Sequence, residues 1–139
     1  MSETENTHLM QRIFAGLAEG DGRPLADSLA EDFSWTIIGT TSWSGTYEGK
    51  KTVLNELFRP LLAQFADTYT NTPQRFIAAG DRVVVECKGR ATTKDGKPYH
   101  NTYCWVCHIE DGKLRALTEY CDTDLIATTL GDPGDRQAR

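Results

Sequence analysis

The sequence has no long hydrophobic run and no cluster of basic residues. No apolar stretch in its 139 residues approaches the roughly 20 needed to span a bilayer, and residues 1–8 are too polar for a signal peptide. The formal net charge is −5 and the basic residues are scattered, so the positive stripe that nucleic acids require is missing. The same charge disfavours an acidic membrane surface. These absences predict a cytoplasmic protein whose partners are small molecules or other protein chains.

The residue patterns of metal and cofactor sites are also missing. The four cysteines, Cys87, Cys104, Cys107 and Cys121, are expected to be free thiols in a reducing cytosol. The run from Cys104 to His108 matches the attachment pattern of c-type haem, but on a strand its two cysteines point to opposite faces. A zinc site fails similarly, because one strand cannot supply four convergent ligands. We therefore expect neither an organic cofactor nor a metal.

Helical spacing of apolar residues appears in the first half of the chain. Residues 9–17 predict a helix that ends at the following Gly-Asp-Gly turn. Pro24 to Ala30 indicates a second, short helix with proline in its first turn. The spacing returns from Val53 to Phe65, where Pro60 falls inside the pattern and predicts a kink or break near Arg59.

Strand signals dominate the second half. Residues 33–38 already predict one strand, and the Gly-, Ser- and Thr-rich residues 39–49 predict a loop. Later, three turn pairs (80–81, 95–96 and 111–112) bound long β-prone segments, which indicates an antiparallel meander. The predicted strands of this meander are residues 82–93, 97–109 and 113–121.

This order of elements predicts one α+β domain with two layers. Three helices from the N-terminal half pack against one strongly curved sheet, and a short helix over residues 123–130 follows it. Residues 1–130 are expected to form the domain, and the polar residues 131–139 a disordered tail. A curved sheet closed by helices encloses an apolar space, and such spaces bind small ligands.

Three segments give the chain a family resemblance: Met10–Asp21, Trp35–Gly39 followed by Ser44–Gly49, and Lys113–Asp122. Together they resemble the ketosteroid isomerase-like and SnoaL-like branch of the nuclear transport factor 2-like superfamily. The resemblance implies a cone-shaped, curved, mixed or antiparallel sheet of the cystatin-like α+β barrel type. It also implies a homodimer that pairs the outer sheet faces, and no organic cofactor.

Two activities of this superfamily lack their residues here. By the resemblance, the base of ketosteroid isomerases falls at Thr36, their tyrosine at Ile13 and their buried acid near Trp105. A threonine hydroxyl cannot accept a proton near neutral pH, so that mechanism is not expected. Epoxide hydrolase-like members use an Arg-x-Asp pair, which aligns with Lys88-Gly-Arg90 and supplies no carboxylate; their last aspartate resembles Glu119.

The remaining activity is that of SnoaL-type polyketide cyclases, which use a carboxylate base in an apolar pocket. Glu119 is the first candidate base, since burial in such a pocket raises a carboxyl pKa. Asp122 is the second candidate, although its position also suits the cap of the terminal helix.

Candidate substrate-binding residues lie on two strands. Alternation places Asn101, Tyr103 and Trp105 on one face, and the resemblance implies that this face lines the pocket. Their polar tips suit an apolar ligand with a carbonyl or hydroxyl; the alternative is that they are core or dimer contacts. Trp35 and Thr36 point to opposite faces; alternation favours Trp35 and the family spacing favours Thr36.

Two hypotheses of function therefore stand side by side. The first is a cofactor-free isomerase, cyclase or related lyase or hydrolase that uses Glu119 on a small apolar carbonyl compound. The second is a non-catalytic ligand-binding or dimerisation domain that has lost the catalytic residues. An epoxide hydrolase-like activity is a further alternative.

Overall fold

The computed structural model describes residues 2–134 as a curved mixed sheet with helices packed on one face. The α+β class and the cone-like sheet agree with the sequence prediction. The helices are α1 (Glu3–Leu17), α2 (Arg23–Asp27), α3 (Lys50–Thr52), a π-helical segment (Val53–Phe58), α4 (Arg59–Leu62) and α5 (Thr123–Thr129). The strands are β1 (Leu29–Ile37), β2 (Gly45–Glu48), β3 (Thr70–Ala79), β4 (Arg82–Thr92), β5 (Pro98–Tyr99), β6 (Thr102–Glu110) and β7 (Lys113–Cys121).

Helix α1 begins at a capping box. The Ser2 hydroxyl accepts from the Glu5 backbone N–H, and the Glu5 carboxylate accepts from the Ser2 N–H. Its apolar stripe packs against β3 and β4, where Phe14 is fully buried beside Phe76 and Trp105. Burying a side chain of that size contributes about 2 kcal/mol, which fixes α1 on the concave face of the sheet.

The second helix is shorter than predicted. It ends at Ser28, and Leu29 already pairs with Leu114 in the sheet. The Leu114 N–H donates to the Ser28 carbonyl at 2.8 Å, so pairing between distant strands overrides the local helical preference. The prediction that Leu29 and Ala30 belong to a helix was wrong.

The third helical region runs through Pro60 without stopping. The Arg59 N–H donates to the Leu54 carbonyl, five residues earlier, at the end of the π-helical segment. Pro60 then lies in the first turn of α4, where its missing N–H costs little. The hydrogen-bonding pattern therefore changes at Arg59, the position where the kink or break was expected.

The sheet has the order β2-β1-β7-β6-β4-β3, with β5 paired to β4. The predicted meander is present, because β3, β4, β6 and β7 pair in antiparallel sequence. Strand β1 pairs in parallel with β7, which makes the sheet mixed and brings the first strand beside the last.

Two parts of the sheet differ from the prediction. The expected loop 39–49 contains β2, which pairs with β1 and buries Tyr47; its hydroxyl donates to the Trp43 carbonyl. The expected continuous strand 97–109 is divided into β5 and β6, because the side chain of Asn101 turns to bind the backbone of Asp122.

The C-terminal segment is held against the domain as far as it is described. The Trp43 Nε1–H donates to the Gly131 carbonyl at 2.7 Å, and the Gly131 N–H donates to Gln64 Oε1 at 2.9 Å. Residues 135–139 of the predicted tail lie outside the described residues. No helix of residues 2–134 is long and apolar enough to cross a membrane.

Candidate active site

A cavity of about 130 Å³ lies between the concave face of the sheet and the helices. Its sheet wall includes Trp35 from β1, Trp105 from β6 and Glu119 from β7. The opposite wall is apolar and includes Leu57 from the π-helical segment and Ile126 from α5. Side chains alternate along these strands, so the lining residues on one strand are two positions apart: Trp35 and Ile37 on β1, and Tyr103 and Trp105 on β6.

Glu119 is the acidic residue of the cavity wall. It pairs across the sheet with Trp105, and its side chain points inward beside that indole. Glu119 is only 9% exposed, and its Oε1 accepts a hydrogen bond of 3.0 Å from Trp105 Nε1. Burial raises the pKa of Glu119 to about 7, and the Trp105 hydrogen bond opposes the rise. Glu119 can therefore both hold and release a proton near neutral pH.

Aromatic rings surround this carboxylate. The Trp35 ring lies 5.0 Å from that of Trp105 and 5.2 Å from that of Phe58, and both contacts are near-perpendicular. Edge-to-face contacts of this kind hold rings in defined orientations. The Trp35 Nε1 atom is buried and has no hydrogen-bond partner among residues 2–134.

Three tyrosines and an asparagine form a second polar cluster beside the first. The Tyr69 hydroxyl donates to the Tyr103 hydroxyl at 2.8 Å, and Asn101 Nδ2 donates to the Tyr99 hydroxyl at 3.0 Å. Burial raises the pKa of all three tyrosines. They are therefore neutral at physiological pH and act as hydrogen-bonding groups, not as bases.

Gly89 makes room for the tyrosine pair. A Cβ atom at this position would lie 2.7 Å from both Tyr69 Oη and Tyr103 Cε2. Real Cβ atoms do not approach other atoms so closely, so any side chain here would displace one of the rings. The two charged neighbours of Gly89 on β4, Lys88 and Arg90, are exposed on the outer face.

The predicted site residues divide into three groups. Trp35, Tyr103, Trp105 and Glu119 line the cavity. Asn101 is buried behind the wall, where it contacts Tyr99 and the Asp122 backbone. Thr36 and Asp122 do not line the cavity.

The positions of these last two residues have clear physical reasons. Thr36 follows Trp35 on β1 and so points to the opposite face, where its hydroxyl bonds that of Thr46 at 2.9 Å. Of the two alternatives on β1, alternation and not family spacing identified the residue on the cavity wall. Asp122 is exposed and its carboxylate accepts from the Leu125 N–H, which makes it the N-cap of α5. A general base needs access to the substrate, so this position corrects the catalytic prediction for Asp122.

Sequence reasoning missed several residues of the cavity wall. Tyr69 lies just before β3 and belongs to no periodic pattern, so nothing in the sequence marked it. Trp43 lies in the region expected to be a loop. Leu57 and Leu61 belong to the apolar stripe of the predicted helix over residues 53–65. That periodicity could have identified them as cavity residues, because the stripe faces the cavity.

One other cluster has ligand atoms close enough to hold a cation. Asp81, His108 and Glu110 lie on the outer side of the sheet, with His108 Nε2 3.0 Å from Asp81 Oδ2. Arg82 and Arg115 contact the same carboxylates at 2.8 and 3.3 Å. Contacts with neighbouring arginines at the surface account for the closeness of these side chains. None of the three residues lines the cavity.

Comparison with known proteins identifies the fold. A family model described as SnoaL-like domain matches residues 10–117. A nuclear transport factor 2-like protein of unknown function from Burkholderia pseudomallei superposes with a TM-score of 0.78 at 22% identity, over 94% of this chain and 98% of that one. No curated protein matches the chain in sequence.

Two other solved structures carry names that mention chemistry. One, from Jannaschia sp. CCS1, is named provisionally as a SnoaL-like polyketide cyclase; its TM-score is 0.76 at 14% identity, over 91% of this chain and 92% of that one. The other is TerC co-crystallised with polyporic acid, with a TM-score of 0.73 at 22% identity, over 86% and 93% of the two chains. At these identities the structures establish the fold. With the family match over most of its length, the chain belongs to the SnoaL-like domain family, and it has the nuclear transport factor 2-like fold.

Proposed function

We propose that this protein binds a small, largely apolar carbonyl compound and transfers a proton to and from it with Glu119. The observation that carries this proposal is a carboxyl group buried in an apolar cavity with a pKa raised to about 7. A general base works best when its pKa lies near the working pH. Carboxyl groups whose pKa is raised by burial cluster at functional sites, which supports such a role for Glu119.

The size of the cavity restricts the ligand. A dry cavity of about 150 Å³ accepts benzene, so about 130 Å³ suits a molecule on the scale of a single ring. The co-crystallisation of TerC with polyporic acid and the name of the Jannaschia relative support a small organic ligand in this fold.

The proton transfer needs no cofactor. Ionised Glu119 removes a proton from the carbon beside the carbonyl: that C–H bond breaks, an O–H bond forms on the carboxylate, and the electron pair moves to the carbonyl oxygen as an enolate. Return of the same proton to another carbon completes an isomerisation. A cyclisation results instead when the enolate carbon attacks a second carbonyl carbon of the same molecule; the oxygen of that carbonyl receives the electron pair of its π bond and takes the proton back from Glu119. Both outcomes balance without an external oxidant or reductant.

The epoxide hydrolase-like alternative loses support. Its first catalytic pair aligns with Lys88 to Arg90, whose two charged side chains lie on the outer face of β4. A ketosteroid isomerase mechanism is also unsupported, because Ile13 and Trp105 stand where that family has its tyrosine and acid. The alternative that remains is binding without catalysis.

Hydrogen exchange separates these two possibilities. In D₂O, the protein is expected to accelerate exchange of the methyl protons of acetophenone, followed by ¹H NMR, and the rate should rise with pH through about 7. Glu119→Gln should abolish the acceleration, because the amide cannot accept the proton. Asp122→Asn is the matched control, since it removes a nearby charge outside the cavity and should keep the rate. Binding of acetophenone without any exchange would identify a non-catalytic binding protein.

We further propose a homodimer formed through the outer face of the sheet. A row of uncharged side chains crosses this face in register, from Ile77 through Val84 and Val106 to Thr118 and Thr36. Ile77 is 48% exposed, and nothing in residues 2–134 covers the row. An uncharged stripe across an uncovered sheet face is typical of an interface.

Light scattering after size exclusion tests the assembly. The expected mass is about twice the 15.5 kDa of the chain. Val106→Glu places a charge at the centre of the row and should yield a monomer. Thr72→Lys, at an exposed position on the far end of β3, should leave the mass unchanged. A monomeric wild-type protein would contradict the proposal.

The cytoplasm remains the proposed location. All four cysteines are free thiols in the structure, which is compatible with a reducing compartment.

A further inference from the structure

The three tryptophans of the chain differ in whether their indole N–H groups have a hydrogen-bond acceptor. Trp43 donates to the Gly131 carbonyl at 2.7 Å, and Trp105 donates to Glu119 at 3.0 Å. Trp35 is only 4% exposed, yet its Nε1–H has no partner among residues 2–134. A buried donor without an acceptor is destabilising and rare in folded proteins, so this position calls for an explanation.

The protein surroundings of Trp35 cannot satisfy this donor. Its ring neighbours are Phe33, Phe58 and Trp105, which present only hydrocarbon edges, aromatic faces and one N–H already donated to Glu119. An aromatic face accepts an N–H only weakly. Trp35 also lies on the cavity wall, so a molecule inside the cavity can supply the acceptor once its binding opens a path to the buried Nε1 atom.

The charges of the cavity wall narrow the choice of acceptor. No lysine, arginine or histidine lines the cavity among the described residues, and Glu119 is its acidic group. A ligand carboxylate would therefore meet an acid and no cation. An ammonium group could pair with Glu119, but it has no lone pair to offer Trp35. A neutral carbonyl oxygen satisfies Trp35 and needs no counter-charge.

We propose that Trp35 Nε1 is the hydrogen-bond donor to the ligand's carbonyl oxygen and selects neutral, one-ring carbonyl compounds over anions and ammonium ions. This inference rests on the proposed function, because it requires that the cavity binds a ligand. The two indoles then have separate tasks: Trp105 orients Glu119, and Trp35 contacts the ligand. The same N–H would stabilise the negative charge that develops on that oxygen as Glu119 removes a proton.

NMR of the indole N–H groups tests the contact in the intact protein. The ¹H–¹⁵N spectrum should contain three indole signals, which Trp→Phe variants at positions 35, 43 and 105 assign. Acetophenone should move the Trp35 N–H proton downfield by more than it moves the Trp43 signal. Ethylbenzene has nearly the same shape and no oxygen, so it should bind without that downfield shift. An equal response to both probes would overturn the proposal.

Affinities provide the second measurement. Acetophenone should bind wild-type protein about 3- to 10-fold more tightly than ethylbenzene, as one neutral hydrogen bond allows. Trp35→Phe keeps an aromatic ring and removes the N–H, so it should abolish this preference while ethylbenzene affinity changes little. Benzoate and benzylammonium should bind more weakly than acetophenone. Tighter binding of benzylammonium would instead identify a cation site at Glu119 and reject the role of Trp35.

The outcomes separate the two proposals. If both neutral probes bind equally and Trp35→Phe has no effect, the cavity binds ligands but Trp35 is not its donor. If acetophenone shows the preference but its protons do not exchange, the Trp35 contact stands and the catalytic role of Glu119 fails. If no probe binds at millimolar concentration, both proposals fail. Should Trp35→Phe not fold, the NMR comparison of acetophenone with ethylbenzene in wild-type protein still decides.

Discussion

Two polar clusters share the cavity wall and differ in how completely their hydrogen bonds are satisfied. The tyrosine cluster consists of Tyr69, Tyr99, Tyr103 and Asn101, and each of these side chains has a partner. The carboxylate cluster consists of Glu119, Trp105 and Trp35; it holds an acid with a raised pKa and a donor without a partner.

This difference suggests different roles for the two clusters. A satisfied buried network rigidifies the fold and specifies one arrangement of side chains. Buried groups that destabilise the folded chain when no ligand is present are instead typical of sites that bind or react. We therefore expect substitutions in the tyrosine cluster to lower stability, and substitutions in the carboxylate cluster to change function and the pH dependence of stability.

The largest expected effect is on the pH dependence of stability in Glu119→Gln. Below pH about 4.5 the carboxyl is protonated in both states, and from there to about 7 the unfolded chain loses its proton while the folded chain keeps it. The free energy of unfolding should therefore fall by about 3 kcal/mol across this window in wild-type protein, relative to Glu119→Gln. Urea unfolding at pH 4.5, 6 and 8 measures the difference.

The matching control for this prediction is Asp122→Asn, which should follow the wild-type curve. Parallel curves for wild type and Glu119→Gln would mean that Glu119 is solvated in solution. The carboxylate cluster would then lose its distinction from the tyrosine cluster.

Gly89→Ala should have the next largest effect. The added methyl group would lie 2.7 Å from Tyr69 Oη and Tyr103 Cε2, so the tyrosine pair must move apart. Overpacking of this kind costs about 1–3 kcal/mol. Gly22→Ala is the control, because a Cβ there meets nothing within 4 Å. Equal urea midpoints for the two variants would contradict a rigid tyrosine cluster.

Tyr69→Phe should have the smallest effect. It removes one neutral hydrogen bond and leaves the Tyr103 hydroxyl with one partner fewer, at a cost of about 1 kcal/mol. Acetophenone exchange should persist, since Glu119 and Trp35 are untouched. Loss of exchange with unchanged stability would instead indicate that the tyrosine cluster takes part in catalysis.

The sequence predicted those parts of the site that depend on alternation and on periodic spacing. Strand β7 was predicted at Lys113–Cys121, and the family motif on this strand led to Glu119 as the candidate base. Alternation along residues 99–107 grouped Tyr103 with Trp105, and the family resemblance identified their side as the one that faces the cavity.

The parts that sequence reasoning missed depend on contacts between distant residues. Leu29 belongs to a strand because Leu114 pairs with it, and neither residue carries that information alone. Tyr69 belongs to the site because Gly89 leaves space for its hydroxyl. The unpaired state of the Trp35 N–H follows from what surrounds it on two other elements, so it could be recognised only in three dimensions.

The parallel pairing of β1 with β7 has a consequence for the newly made chain. Strand β1 cannot gain this neighbour until the ribosome has added residues 113–121, about 80 positions later. During that interval the apolar side chains of Phe33, Trp35 and Ile37 have no sheet partner on that side, and an open strand edge invites aggregation. The nascent chain should therefore be most prone to aggregation before residues 113–121 have been added.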